Sequence, residues 1–405
     1  METYTAPMFV DVLQKHYIEY GTNVNVAVYK DGVRTTPNGE GRVYPPEIKA
    51  HLQAGRSIQF INPMTYCDSV WHLCDILQEM FGSFVGANTY LTPSGTAGFA
   101  PHWDDIDAFL MQIEGRKHWK VWAPDDPDLV LPRGPSGHLD NFSEVDMEGC
   151  IPVFDGWLEQ GDLLYIPRGF IHGGYTEPST HSLHLTVSVC RQTAFIDMME
   201  KLIPTAVTTL GDAVPTLRES LPTGYLDMGG VLPFQYPLEH EMKKRISSVM
   251  NEHMKMLFKH TSHMWQSAID MMAREYMRTS LPPMLTQEEK RLSAIGDKGF
   301  NVLDMRSRKF TLKTQIKFIR RHAQRLIFET ESRCFVIHRM SNARVSEGRP
   351  EVSFDLDEKL ADGFGQLLET YPDWEYVSEL ACESKADKIK LAQILFDNGL
   401  IMAKF

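Results

Sequence analysis

The chain has 405 residues, enough for two or three domains with sizeable cores, and its 43% hydrophobic and 23% charged residues are an ordinary globular balance. A net charge of −12 argues against wholesale nucleic-acid binding but leaves local basic patches open. The six cysteines (Cys67, Cys74, Cys150, Cys190, Cys334 and Cys382) include no Cys-x-x-Cys pair, so no zinc ribbon or finger is supported, and the low count suits a reducing compartment; with no apolar run of about 18 residues, no membrane partner is expected.

Near the start, Phe9-Val10 is apolar, and residues 24–30 read as a strand stopped by the turn Asp31-Gly32; a Pro/Gly loop follows at 37–41. Pro45-Pro46-Glu47 opens a helix to about residue 54, followed by a strand at 57–61. Over 66–81, Val70, Leu73, Cys74, Leu77 and Phe81 recur at helical spacing, and Gly82 stops the helix. From 84 to 189 the segments are short strands between Gly, Pro, Asn and Asp turns, interrupted by a long acidic loop at 124–146; such a loop is either a lid or a surface insertion.

Period two stops after Arg191. Phe195, Met198, Met199 and Leu202 then fall at helical spacing, a Pro/Gly-rich break covers 221–237, and a methionine-striped helix is expected over about 239–279. Leu281-Pro282-Pro283 begins a stiff linker, and Thr286-Gln287-Glu288-Glu289 is a capping-box pattern. A strand at 333–338 and helices at 358–370 and 386–398 follow. Eight basic residues lie between 306 and 325: Arg306, Arg308, Lys309, Lys313, Lys317, Arg320, Arg321 and Arg325. They suit a phosphate grip or, as the better reading, a solvated helix face.

The chemistry concentrates in two stretches. His102-Trp103-Asp104 is a His-x-Asp pair whose side chains share one face of an extended strand and so reach one ion. The second, Ile166-Pro167-Arg168-Gly169-Phe170-Ile171-His172, ends an apolar run with a turn and a histidine. Two histidines and one carboxylate, with positions left open, form the facial triad of non-haem Fe(II) oxygenases. Against this stands the plain reading of a surface pair or satisfied core histidine in a chain with 15 histidines. Lys117 shares a strand face with Trp119 and Val121, where a buried ammonium calls for an anionic partner unless it snorkels to water. In 182–189, Leu183, Leu185, Val187 and Val189 alternate with His184, Thr186 and Ser188, a polar stripe opposite an apolar face.

The order Asn88-x-Tyr90-x-Thr92-Pro93, Pro101-His102-Trp103-Asp104-Asp105, Glu114-Gly115-Arg116-Lys117-x-Trp119, Ile166-Pro167-Arg168-Gly169-x-Ile171-His172 and His184-x-Thr186-x-Ser188 resembles the JmjC-type 2-oxoglutarate oxygenases. More narrowly, it resembles their ribosomal oxygenase branch, the histidyl hydroxylases also described as lysine-specific demethylases. The resemblance implies a mainly β plus α chain: a double-stranded β-helix (a cupin-like jelly-roll barrel) over 1–190, a helical dimerisation domain over 191–280, and a winged-helix domain over 281–405.

It further implies that His102, Asp104 and His172 hold Fe(II). Lys117 would take the far carboxylate of the cosubstrate 2-oxoglutarate, helped by Asn88, Thr186 and Ser188, with Tyr90 on the substrate side and O2 as oxidant. His181 and His184 compete with His172 as third ligand, and the Pro-x-Gly turn favours His172. The expected reaction is hydroxylation of a histidine in a large-subunit ribosomal protein. Histone N-methyl-lysine demethylation in chromatin, or an inactive scaffold, are the alternatives. A homodimer through 191–280 and a nuclear, nucleolar location are likewise implied, with nucleic-acid binding not the main role. The chain departs from its relatives at Gln59, where they often carry arginine, and they usually have more chain before residue 1.

Overall fold

A computed structural model describes residues 5–125, 130–136, 147–228, 241–296, 309–330, 333–345 and 350–405. The described residues form two compact units, one made of 1–192 with 276–405 and the other of 193–275.

The first unit begins with α1 (Ala6–Lys15), a helix that the sequence reading missed; it buries Phe9, Val12 and Leu13. Strands β1 (Val24–Lys30), β2 (Val33–Thr35) and β3 (Ser57–Ile61) flank α2 (Pro45–Gln53), and α3 (Asp68–Phe81) follows with Gly82 as its left-handed stop. Then come β4 (Gly86–Thr92), β5 (Asp107–Gly115), β6 (Lys117–Trp122), β7 (Phe154–Leu158), β8 (Leu163–Ile166), β9 (Ile171–Tyr175) and β10 (Ser182–Val189). Seven strands pair in the order β2-β1-β3-β4-β10-β5-β8, and β7-β6-β9 form a smaller sheet. This is the expected double-stranded β-helix.

Strand β10 lies inside the larger sheet, paired antiparallel to both β4 and β5. The alternation works as expected: Leu183, Leu185, Val187 and Val189 are at most 3% exposed and join Phe60, Val70 and Cys74 in the core that includes α3. Burying each such side chain stabilises the fold by roughly 1.5–3 kcal/mol. The other face looks inward with Ala108 and Leu110, which pack with Trp119 and Val121 of the smaller sheet. Gly115 joins β5 to β6 at φ 62°, where a Cβ would overlap the His181 carbonyl, so only glycine closes this turn.

The C-terminal part of this unit contains α6 (Gln287–Leu292), β11 (Gln315–Phe318), β12 (Gln324–Thr330), β13 (Arg333–His338), β14 (Ser353–Leu356), α7 (Ala361–Glu369), β15 (Glu375–Tyr376), α8 (Lys385–Asp397) and β16 (Ile401–Lys404). Thr286 caps α6 as its sequence pattern predicts, with Glu289 N donating to Thr286 Oγ1 (3.2 Å) and Thr286 N to Glu289 Oε2 (2.7 Å). The basic run is not a solvated helix face. Lys317 lies in β11 between buried Ile316 and Phe318, and Arg325 lies in β12; Arg306 and Arg308 fall outside the described residues. The Gln-Ile-Lys-Phe alternation is strand periodicity, and the charges are spaced by it. Arg320 turns inward onto Asp75 of α3 (3.3 Å) and Glu289. Asp75 also receives Arg339 (2.9 Å), and both residues of that pair are fully buried.

In the second unit, α4 (Phe195–Ala213) leaves Phe195, Met199, Ile203 and Val207 exposed on one stripe, and the long α5 (Glu241–Thr279) exposes Met250, Met254 and Phe258; from Tyr276 on, α5 belongs to the first unit. No helix among the described residues is long and apolar enough to cross a membrane.

Candidate metal centre

His102 lies just before β5 and His172 in β9, and the two exchange backbone hydrogen bonds as an isolated antiparallel bridge: His102 N to His172 O at 3.1 Å, His172 N to His102 O at 2.8 Å. Their rings lie with centroids 4.4 Å apart, tilted by 52°. Two residues on, Asp104 accepts through its backbone carbonyl from Gly169 N (3.1 Å), and Gly169 holds φ 88°, a left-handed turn open to glycine. That turn delivers His172, as the Pro-x-Gly pattern anticipates. The ligating atoms of His102, Asp104 and His172 all lie within 4.8 Å of one another.

Each imidazole is aimed by its backbone. His102 Nδ1 lies 2.9 Å from Ala100 O, and His172 Nδ1 lies 3.1 Å from Phe170 O. A carbonyl only accepts, so both rings carry their proton on Nδ1 and present a bare Nε2 lone pair, the arrangement a metal-binding histidine requires. Burial, followed by the neighbouring His102, pushes His172 down to about 4, so it is a neutral ligand near pH 7. Two nitrogens and one carboxylate on one side, with the remaining positions open, fit a divalent iron-type ion.

One support was invisible to the sequence reading. Ser136, in the long loop whose residues 126–129 and 137–146 lie outside the described set, clamps the strand between the two ligands. Its Oγ accepts from Trp103 N (2.9 Å) and donates to Trp103 O (3.1 Å), and its own N–H donates to the same carbonyl (3.0 Å). The pairing spans 33 residues, and no local pattern announces it.

Deeper in the barrel, Lys117 at the start of β6 is 3% exposed, so it does not snorkel. Its Nζ lies 4.5 Å from the Trp119 ring centroid and has no hydrogen-bond or ion-pair partner among the described residues; burial alone lowers its pKa to about 7. Trp119 Nε1 and His184 Nδ1 are also buried without partners among the described residues, and Trp119 meets His184 edge-on at 5.2 Å. An ammonium and an indole N–H without acceptors, beside three metal-type ligands, fit a chelating carboxylate.

The alternation of β4 and β10 puts Asn88, Tyr90, His184 and Thr186 on one face, with Asn88 opposite Thr186 and Tyr90 opposite His184; Ser188 is one step further, opposite Gly86 and Ala108. Neither competing histidine joins the metal group. His181 is exposed and bonded to Glu114 (3.1 Å), while His184 stacks on Tyr90 at 4.9 Å, held neutral by burial and by Lys117.

A family model described as the JmjC domain matches residues 59–197, and one described as the ribosomal oxygenase 1 C-terminal winged helix domain matches 281–405. The chain is 53% identical over 402 residues to the bifunctional lysine-specific demethylase and histidyl-hydroxylase NO66 of Brugia malayi, covering 99% of this chain and 56% of that protein. It is 36% identical over 399 residues to ribosomal oxygenase 1 of Danio rerio, covering 97% of this chain and 71% of that protein. The solved structure of the ribosomal oxygenase YcfD from Escherichia coli, in complex with cobalt and 2-oxoglutarate, aligns at TM-score 0.46 and 13% identity over 100% of this chain and 92% of that one. The chain spans about half the length of its Brugia and Caenorhabditis relatives, between 52% and 56%.

Proposed function

The chain belongs to the ribosomal oxygenase family of JmjC proteins, and from that premise we propose that it is an Fe(II)- and 2-oxoglutarate-dependent protein hydroxylase whose first substrate is a histidine of a large-subunit ribosomal protein. The observation that carries the reading is the convergence of His102, Asp104 and His172 beside the buried Lys117, which has no hydrogen-bond or ion-pair partner among the described residues. His102, Asp104 and His172 would hold the iron; Lys117, with Asn88, Thr186 and Ser188, would hold 2-oxoglutarate. When bound, iron and cosubstrate supply the oxidising power: O2 is consumed, 2-oxoglutarate leaves as succinate and CO2, and one oxygen atom enters a substrate C–H bond.

The chain's own residues do the rest. Lys117 is poised near pH 7, and a carboxylate beside its Nζ raises its affinity for a proton, so cosubstrate binding and lysine protonation reinforce each other. The apolar wall of Leu110, Trp119 and Val121 keeps water from this end of the site. Tyr90 and its neighbour Phe99 form the wall by which substrate approaches His102.

Demethylation of a histone methyl-lysine is the second reading, favoured by the two activities in the name of the Brugia relative. The complete ligand set argues against an inactive scaffold. The exposed stripe Phe195, Met199, Ile203 and Val207 supports a homodimer through the helical unit, since an apolar stripe of this kind favours a covered face. A nuclear, nucleolar location belongs to the same proposal by resemblance alone. To test the activity, a histidine-bearing ribosomal peptide and a trimethyl-lysine histone peptide are incubated with enzyme, Fe(II), 2-oxoglutarate and O2 and read by mass spectrometry. One added oxygen on histidine, absent with His102→Ala, is expected. Methyl loss alone would move demethylation to the front, and no succinate with either peptide would sink both.

A further inference from the structure

A file of polar side chains crosses the seven-stranded sheet to the substrate wall. Asn25 of β1, Gln59 of β3 and Tyr90 of β4 stand directly opposite one another in register. Asn38, in the loop after β2, adds to its outer end. The bonds run Val26 N to Asn38 Oδ1 (2.8 Å), Asn38 Nδ2 to Asn25 Oδ1 (3.0 Å), Asn25 Nδ2 to Gln59 Oε1 (3.1 Å) and Gln59 Nε2 to the Tyr90 hydroxyl (3.1 Å).

The direction of this relay is not a matter of how each amide is drawn. A backbone N–H can only donate, so Val26 fixes the carbonyl end of Asn38, and each amide then fixes the next. Flipping Asn38 or Asn25 sets like against like on both sides, and flipping Gln59 sets its amide N–H against that of Asn25. The Tyr90 oxygen therefore accepts from Gln59, with the Asn88 side chain as a second hydrogen-bonding neighbour acting in the same direction, and its own hydrogen remains to be given elsewhere. Burial, with the Asp104 charge second, pushes Tyr90 up to about 12, so the hydrogen stays in place. The ring is held by its stack on His184 (4.9 Å) and by the edge of Phe99 (5.3 Å), and the Arg34 guanidinium lies 4.7 Å over Phe99, a cation at the same wall.

We infer that Asn38, Asn25 and Gln59 are positioning residues that set the polarity of the Tyr90 hydroxyl, making it a hydrogen-bond donor to an acceptor on the substrate. This rests on the reading above that Tyr90 faces the substrate. The acceptor is of the carbonyl or unprotonated imidazole class; a methylammonium has no lone pair to receive the proton, and Arg34 repels it. Glutamine suits position 59 because it carries a carbonyl for Asn25 and an amide N–H for Tyr90.

The test is polarity reversal without change of shape. In Asn25→Asp the carboxylate only accepts, so Gln59 must turn its N–H towards residue 25 and its carbonyl towards Tyr90. In Asn38→Asp the reversal starts one residue further out and passes through Asn25. The Tyr90 C–O stretching band, isolated as the infrared difference against Tyr90→Phe, reports polarity without any substrate. Both variants are expected to move it to higher frequency, as a phenol does when it exchanges an accepted hydrogen bond for a donated one. With a histidine peptide, Asn25→Asp should lower kcat/KM about ten-fold, mainly through KM, and change nothing further in the Tyr90→Phe background. An unmoved band in folded Asn25→Asp and Asn38→Asp, or losses that add to that of Tyr90→Phe, would overturn the relay. Failure of the oxygenase reading shows separately, as absence of succinate from the wild-type enzyme with peptide, and leaves the infrared result to stand or fall alone.

Discussion

Replacing Lys117 by methionine is expected to stabilise the metal-free protein while abolishing its response to 2-oxoglutarate. Burial lowers this lysine from 10.5 to about 7. At ~1.4 kcal/mol per pH unit, that is a penalty of roughly 5 kcal/mol for holding the charge inside the barrel, the upper bound on what a neutral side chain recovers, since the contact with Trp119 offsets part of it. The sign follows from linkage. Between pH about 7 and 10.5 the unfolded chain keeps a proton that the folded chain has lost, so wild-type stability rises with pH across that window. The gain from Lys117→Met is therefore full near pH ~6, shrinks through the window and is gone near its upper end. Urea unfolding of the metal-free proteins at several pH values measures this, and 2-oxoglutarate added to the metal-loaded proteins should raise the midpoint of wild type but not of the variant. A variant that is uniformly less stable at every pH would refute the reasoning, because Lys117 would then contribute packing and not an uncompensated charge.

Two further changes probe the scaffold around this site. Asp104→Ala should weaken metal binding by about 100-fold or more, seen as loss of metal-induced stabilisation with the circular dichroism unchanged, since the carboxylate is partly exposed. Arg339→Met should cost about 3–5 kcal/mol in urea unfolding, because it withdraws a fully buried cation from Asp75, Glu79 and the Leu281 carbonyl; adding Asp75→Asn should cost less than the sum of the single changes.

How far the sequence speaks depends on whether a feature is a face or a partner. Alternation in 182–189 correctly separates the core face of Leu183 to Val189 from the polar face of His184, Thr186 and Ser188, because strand geometry alone fixes which side a residue takes. The His102-x-Asp104 pair and the capping box at Thr286 are legible for the same reason: their members lie within one short element. Which residues of other elements a face meets is not legible. His184 and His172 both point inward, yet only the turn at Gly169 brings His172 to Asp104, while β10 carries His184 to Tyr90 instead. Ser136 reaches Trp103 across 33 residues, Asn25 reaches Gln59 across 34, and Arg339 reaches Asp75 across 264. The basic run misleads through the same gap. Counting charges suggests a wet helix, but Arg320 has a buried acceptor on α3 and a half-buried one on α6, and Lys317 lies over Trp374. A desolvated cation costs several kcal/mol without a partner and little with one. The sequence states that the charge exists, and only the fold decides whether water or an anion answers it.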